Sequence, residues 1–134
     1  MIQADPIIAV KNVAISSKWY QALFGCRLSG GHGGERFETL TDEDGSVLLC
    51  LHKWGEDHHP TMTNLGIPPG NGLILYFRTD NLDAIRKNAQ RLGAVIEEDI
   101  HRNPNSGKEE FSIWDLDGYY LTITRYHDYG YGYK

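Results

Sequence analysis

The chain has 134 residues, which is one ordinary domain or two small halves packed as a unit. Its 40% hydrophobic and 23% charged content, with 15 Gly and 5 Pro spread along the chain, excludes disordered, collagen-like and coiled-coil classes. A net charge of −5 with no basic stretch argues against a nucleic-acid partner, and no apolar run approaches the roughly 20 residues that span a bilayer.

The opening residues MIQADPIIAV lack a basic region ahead of a continuous apolar core, so no signal peptide is read and the cytoplasm is the expected compartment. The cysteines, Cys26 and Cys50, form no CxxC pattern. Cys50 stands among Val47, Leu48, Leu49 and Leu51, which favours a buried structural thiol over an exposed nucleophile.

An extended apolar stretch at 6–10, PIIAV, leads through Asn12-Val13 into a helix expected over about 14–24. Ser16 or Ser17 lies near its start, Ile15, Trp19, Ala22 and Leu23 supply an apolar stripe, and Gly25 ends it in the left-handed region. Strand-length segments follow, closing on the Asp-Gly turn DEDG at 42–45 and the run SVLLCL. LHKWGEDHHP then carries His52, Trp54, Asp57, His58 and His59; these could gather round a cation or form a solvated polar loop, and Gly55 and Pro60 favour the loop. His32, between glycines, reads as a loop residue because no helix follows it to form a phosphate cradle.

After a Pro/Gly linker at 67–72, the same order of signals returns. LILYF at 73–77 leads through Asn81-Leu82 into a helix with Leu82, Ile85, Ala89 and Leu92 on one face, capped by Asp80 or Asn81 and stopped at Gly93. HRNPNSGKEE at 101–110 reads as rim loop, FSIW as strand, and DLDG at 115–118 as a second Asp-Gly turn into YYLTIT. The offset between the halves drifts by a few residues, as inserted loop residues would cause. The fold class is therefore α+β: two tandem βαβββ modules, about 5–66 and 73–125 of a single domain 1–134, forming a curved mixed sheet around a cavity, with a Tyr/Gly-rich tail at 126–134 outside the repeat. Four tyrosines in that tail are a large apolar area, better packed, against a partner subunit for instance, than left exposed.

Strand alternation sets Ile74, Tyr76 and Arg78, then Tyr120, Thr122 and Thr124, and Glu110, Ser112 and Trp114 on one side, with Leu75 and Phe77 turned under the helix. Tyr76, Trp114 and Tyr120 would offer flat aromatic faces and Arg78 and Glu110 charged groups to an organic ligand, with Trp54 and Asn103 at the rim. The same side chains also serve as ordinary packing and solvated strand residues.

The segments IIAVKNVAISSKWYQALFG at 7–25, LYFRTDNLDAIRKNAQRLGA at 75–94 and FSIWDLDGYYLTI at 111–123 resemble the vicinal-oxygen-chelate superfamily, which includes glyoxalase I, bleomycin-resistance proteins, fosfomycin-resistance enzymes and extradiol dioxygenases. The resemblance spans nearly the whole chain and implies fold more strongly than function. It implies that metal-dependent members take His, Gln or Glu ligands from the first and last strands of each half. Lined up on the helix stop, the Asn81-Leu82 pair and the Asp-Gly turns, those positions are Asp5, Ile74, Leu49 and Thr122. Only Asp5 is a credible ligand, and shifts of two along the strands bring no strong donor set.

Three functions follow as expectations. The first is a small-molecule binder without the usual metal, similar to bleomycin-resistance proteins and taking an aromatic or cationic ligand through Trp54, Tyr76, Arg78, Glu110, Ser112, Trp114, Tyr120 and Thr122. The second is a divalent-metal-dependent lyase, isomerase or dioxygenase with a non-standard ligand set drawn from Asp5, His52 and His101. The third is a metal-free enzyme with Asp5, His101 or Glu110 as general base. No cofactor is expected for the first, and the resemblance implies a homodimer.

Overall fold

A computed structural model describes residues 1–29, 34–55 and 59–128. The chain divides into two compact units, Met1–Pro69 and Gly70–Lys134, here called module 1 and module 2. Each contains one helix and one four-stranded sheet. The expected α+β class and tandem βαβββ modules are found, with one four-stranded mixed sheet per unit.

Module 1 holds β1 (Ile7–Val10), α1 (Val13–Phe24), β2 (Arg27–Ser29), β3 (Phe37–Thr41) and β4 (Val47–Lys53), with a short 3-10 turn at Pro60–Met62. Its strand order is β1-β4-β3-β2; β1 and β4 run parallel and the other pairs antiparallel. Asn12 starts α1 by accepting the Ile15 amide on its side chain at 2.9 Å, so the N-cap is Asn12, and Ser16 and Ser17 lie within the helix. Gly25 ends the helix at φ 71°, its amide bonded to Gln21 O, a conformation that costs other residues Cβ strain.

The buried face of α1 is Val13, Ser16, Ser17, Trp19, Tyr20 and Leu23. Ile15 and Ala22, expected on the apolar stripe, are exposed. The stripe runs 13, 16, 17, 20, 23, a true helical spacing, and the two small serines on it are compatible with close packing of the helix on β3 and β4. Beneath it lie Ile8, Val10, Leu40, Leu49 and Leu51, all buried.

Module 2 holds β5 (Leu75–Thr79), α2 (Leu82–Arg91), β6 (Val95–Arg102), β7 (Glu109–Trp114) and β8 (Tyr120–Arg125), in the order β5-β8-β7-β6 with β5 and β8 parallel. Leu82, Ile85 and Ala89 of α2 are buried with Leu75, Phe111, Ile113, Leu121 and Ile123 of the sheet. Asn81 precedes α2 without a side-chain cap bond, and its carbonyl takes the Ile85 amide at 3.1 Å. Arg86 reaches from α2 to Asp99 of β6 with two hydrogen bonds, 2.8 and 3.0 Å. Residues His101 and Glu110, expected in a rim loop, are strand residues paired across β6 and β7, whose ladder shifts register between Ile96 and Glu98 and between Glu98 and His101.

Both Asp-Gly turns have the same build. Gly45 and Gly118, at φ 86° and 88°, donate to Asp42 O and Asp115 O, and the hairpins close through Asp42 N to Ser46 O and Asp115 N to Tyr119 O. This is a type I turn followed by a left-handed glycine. The halves diverge directly after it. In module 2 Trp114 pairs with Tyr120 and Ile113 with Leu121, whereas in module 1 Thr41 pairs with Val47 and Leu40 with Leu49. Leu48 is therefore an extra residue, a β-bulge. Among the described residues no helix is long and apolar enough to cross a membrane.

Candidate functional site

In module 2 the face away from α2 reads as rows across the strands. Arg78, Thr124, Glu110 and His101 form one row, Tyr76, Thr122, Ser112 and Glu98 the next, and Tyr120, Trp114 and Val95 the third. Parallel β5 beside β8 and antiparallel β7 on its other side place these side chains together, because residues in register on adjacent strands share a face.

The middle row holds a buried hydroxyl pair, Ser112 Oγ to Thr122 Oγ1 at 2.8 Å. Above it Glu110, only 7% exposed, accepts at Oε1 from the Tyr76 hydroxyl at 3.4 Å and from Asn103 Nδ2 at 3.1 Å. Below it the Trp114 and Tyr120 rings meet edge to face with centroids 4.8 Å apart, and Trp114 Nε1 donates to Glu97 at 3.1 Å. Tyr76 is 40% exposed. Arg78 sits at the upper edge, where Nη1 donates to His127 O at 2.6 Å and the guanidinium lies 5.0 Å from the Tyr126 ring centroid.

Of the expected ligand-binding residues, Tyr76, Arg78, Glu110, Ser112, Trp114, Tyr120 and Thr122 thus share one face of module 2. Trp54 belongs to module 1, half-buried after β4, with its amide on Val10 O at 3.2 Å. Tyr126 and His127 join the module 2 site although the sequence sets them in the tail; Tyr126 N donates to Thr79 O at 2.7 Å, which draws the chain after β8 back to β5. Their only sequence signal is an aromatic pair directly after a strand. Tail residues 129–134 lie outside the described residues, as do His32, Asp57 and His58.

The face of module 1 away from α1 carries Ile7, Cys50 and Thr39 in one row and Ala9, His52 and Phe37 in the next. By strand position these match Tyr76, Thr122 and Ser112, and Arg78, Thr124 and Glu110. His52, expected in a polar loop, is buried in β4. Its Nδ1 lies 2.8 Å from Lys53 O, and its ring stands edge-on between Phe37 and His59 at 6.1 and 5.0 Å. Cys50 Sγ lies 3.6 Å from Thr39 Oγ1.

The bulge at Leu48 moves the strand position that the turn alignment offered as a metal ligand. Leu49, taken by the turn alignment as a ligand position, is 1% exposed and lies on the α1 side with Leu40 and Leu51. Asp5 precedes β1 and Ile74 precedes β5. The facing positions of the first and last strands are instead Ile7 with Cys50 and Tyr76 with Thr122. Ile7 offers no donor, Tyr76 and Thr122 only neutral hydroxyls and Cys50 a single thiol, which falls short of the three or four strong donors that hold a divalent ion. Asp5 and His52 belong to module 1 and His101 to module 2. The His101 ring has Nδ1 3.0 Å from Asp99 O and Nε2 3.9 Å from Glu98. Among the described residues no group of three or more His, Cys, Asp or Glu is placed to hold an ion.

With this fold and face in view, comparison with known proteins is informative. The family model of the Glyoxalase/Bleomycin resistance protein/Dioxygenase superfamily matches residues 3–123, and the chain belongs to that superfamily. No curated protein matches the sequence. Among solved structures, TioX from Micromonospora sp. ML1 is 18% identical over 93% of this chain and 100% of its own, with a TM-score of 0.69. A glyoxalase/bleomycin resistance protein/dioxygenase family enzyme from Burkholderia phytofirmans PsJN is 17% identical over 91% and 98%, with a TM-score of 0.73. An integron cassette protein from the mobile metagenome of V. cholerae is 21% identical over 95% and 98%, with a TM-score of 0.67. At these identities the likeness is one of fold.

Proposed function

We propose that the protein is a small-molecule-binding member of its superfamily, which takes an organic ligand on the face of module 2 away from α2 and does so without a metal ion. The observation that carries this reading is the composition of that face: Tyr76, Trp114 and Tyr120 supply ring surface, while Glu110 and the Ser112–Thr122 pair supply a few fixed polar groups. Ligand sites combine these two elements, with apolar area for affinity and a few oriented polar groups for selection. Module 1 lacks the equivalent, with Ile7, Ala9 and Phe37 where module 2 has Tyr76, Arg78 and Glu110. Both cysteines are free and buried, which fits a reducing compartment, and the reading places the protein in the cytoplasm as a homodimer.

The test is a thermal-shift screen of aromatic small molecules, run with and without prior dialysis against EDTA. A ligand that raises the melting temperature equally in both samples, and fails to do so in Trp114→Ala, supports the reading. A melt that falls on chelation would replace it with the metal-dependent lyase, isomerase or dioxygenase. Turnover abolished by Glu110→Gln and indifferent to EDTA would replace it with the acid/base enzyme.

A further inference from the structure

Resting on that reading, we infer that the ligand carries a cationic nitrogen and that Glu110 is its counter-ion. Glu110 is 7% exposed, and both groups that hydrogen-bond it, the Tyr76 hydroxyl and the Asn103 amide, are neutral and meet the same oxygen, Oε1. No cationic side chain among the described residues pairs with it. A buried carboxylate is ordinarily matched by a cation, because neutral donors do not return the hydration it loses. Two other acids of this module have a cation even at the surface: Glu109, its chain neighbour on the opposite face, lies 2.8 Å from Arg125, and Asp99 lies 2.8 Å from Arg86.

The groups facing Glu110 do not fill the role. From β6, His101 is its ladder partner but turns its nitrogens to Asp99 O and Glu98. From β8 the neighbour is Thr124, and from β5, two strands away, Arg78 is held by His127 O and the Tyr126 ring. Meanwhile Asn103 is set by its turn: its Oδ1 accepts the amides of Asn105 and Ser106 at 2.8 and 3.4 Å, which directs Nδ2 to Glu110. The carboxylate is thereby fixed through one oxygen, and Oε2 takes no hydrogen bond from a described residue. Tyr76 stands one row below, about 7 Å along the strands, with Trp114 and Tyr120 a further row down.

Calorimetric titration of the purified protein with tryptamine, neutral tryptophol and anionic indole-3-propionate tests this, since the three share a ring and nearly a length. Tryptamine is expected to bind at least about tenfold more tightly than tryptophol, the scale of a desolvated charge pair, and indole-3-propionate most weakly. Glu110→Gln keeps an acceptor for Tyr76 and Asn103 and is expected to erase the preference for tryptamine over tryptophol. Equal binding of tryptamine and tryptophol by the unaltered protein would overturn the charge assignment and leave the aromatic site standing. Failure of all three to bind would overturn the site as well. Both outcomes are read without any variant.

Discussion

Glu38 shows how a single side chain departs from what its strand asks of it. It lies in β3, in register with Leu51 and on the same face as Leu40, is 3% exposed, and its Oε1 has no hydrogen-bond partner. A polar atom sealed in this way costs about 1–3 kcal/mol. Glu38→Met, which keeps length and removes the orphaned oxygen, is expected to raise the denaturation midpoint in urea without altering the slope. The buried pair on the other module behaves in the opposite sense: Thr122→Val strands Ser112 Oγ and is expected to lower stability by about 1–3 kcal/mol in the same measurement. Burial pushes the Cys26 thiol up to about 11, with a nearby Asp42 charge adding to the effect against its backbone hydrogen bond. Mass spectrometry after iodoacetamide treatment of folded protein at pH 8 is expected to find Cys26 unmodified.

At the scale of elements, each module fastens its helix differently. The Asn12 side-chain cap on α1 is worth about 1 kcal/mol, and Asn12→Ala is expected to lower stability by that amount in chemical denaturation. On α2 the link is electrostatic. Asp99 is held at about 2 against an ordinary 3.8, first by the side-chain hydrogen bond from Arg86 and next by the Ile100 amide. Its folded value lies below its unfolded one, so the stabilisation is present above about pH 4 and is lost as pH falls towards 2. A melting-temperature profile of Asp99→Asn is expected to run flatter than the parent across that window, and the two are expected to differ less in high salt because the pair is exposed. Leu48 belongs to this scale too. One extra residue in β4 shifts the facing position of that strand from the turn-aligned Leu49 to Cys50, since side chains alternate with a period of two.

For the whole molecule, duplication supplied two scaffolds and only one was furnished with charge. The row Arg78, Thr124, Glu110 of module 2 corresponds to Ala9, His52, Phe37 of module 1. An asymmetric pair of this kind predicts one class of ligand site per chain, which the calorimetric stoichiometry reads directly. The proposed homodimer is expected to sediment at twice the 15.2 kDa chain mass, and sedimentation at the chain mass would overturn it.

Sequence alone determined the repeated βαβββ order, the helix stops at Gly25 and Gly93 and the two Asp-Gly turns, because these depend on local φ preferences and on periodicity that each short segment carries within itself. It also determined that Ser112 shares a face with Trp114 and Tyr120 with Thr122, since alternation within a strand needs no knowledge of its neighbours. Tertiary structure decided the rest. That Ser16 and Ser17 rather than Ile15 face the sheet, that Leu49 turns under α1, that His101 pairs with Glu110 across a ladder, and that Tyr126 and His127 return to β5 all depend on pairing between residues distant in the chain. Such pairings are selected by packing and hydrogen-bond register, which no local pattern encodes.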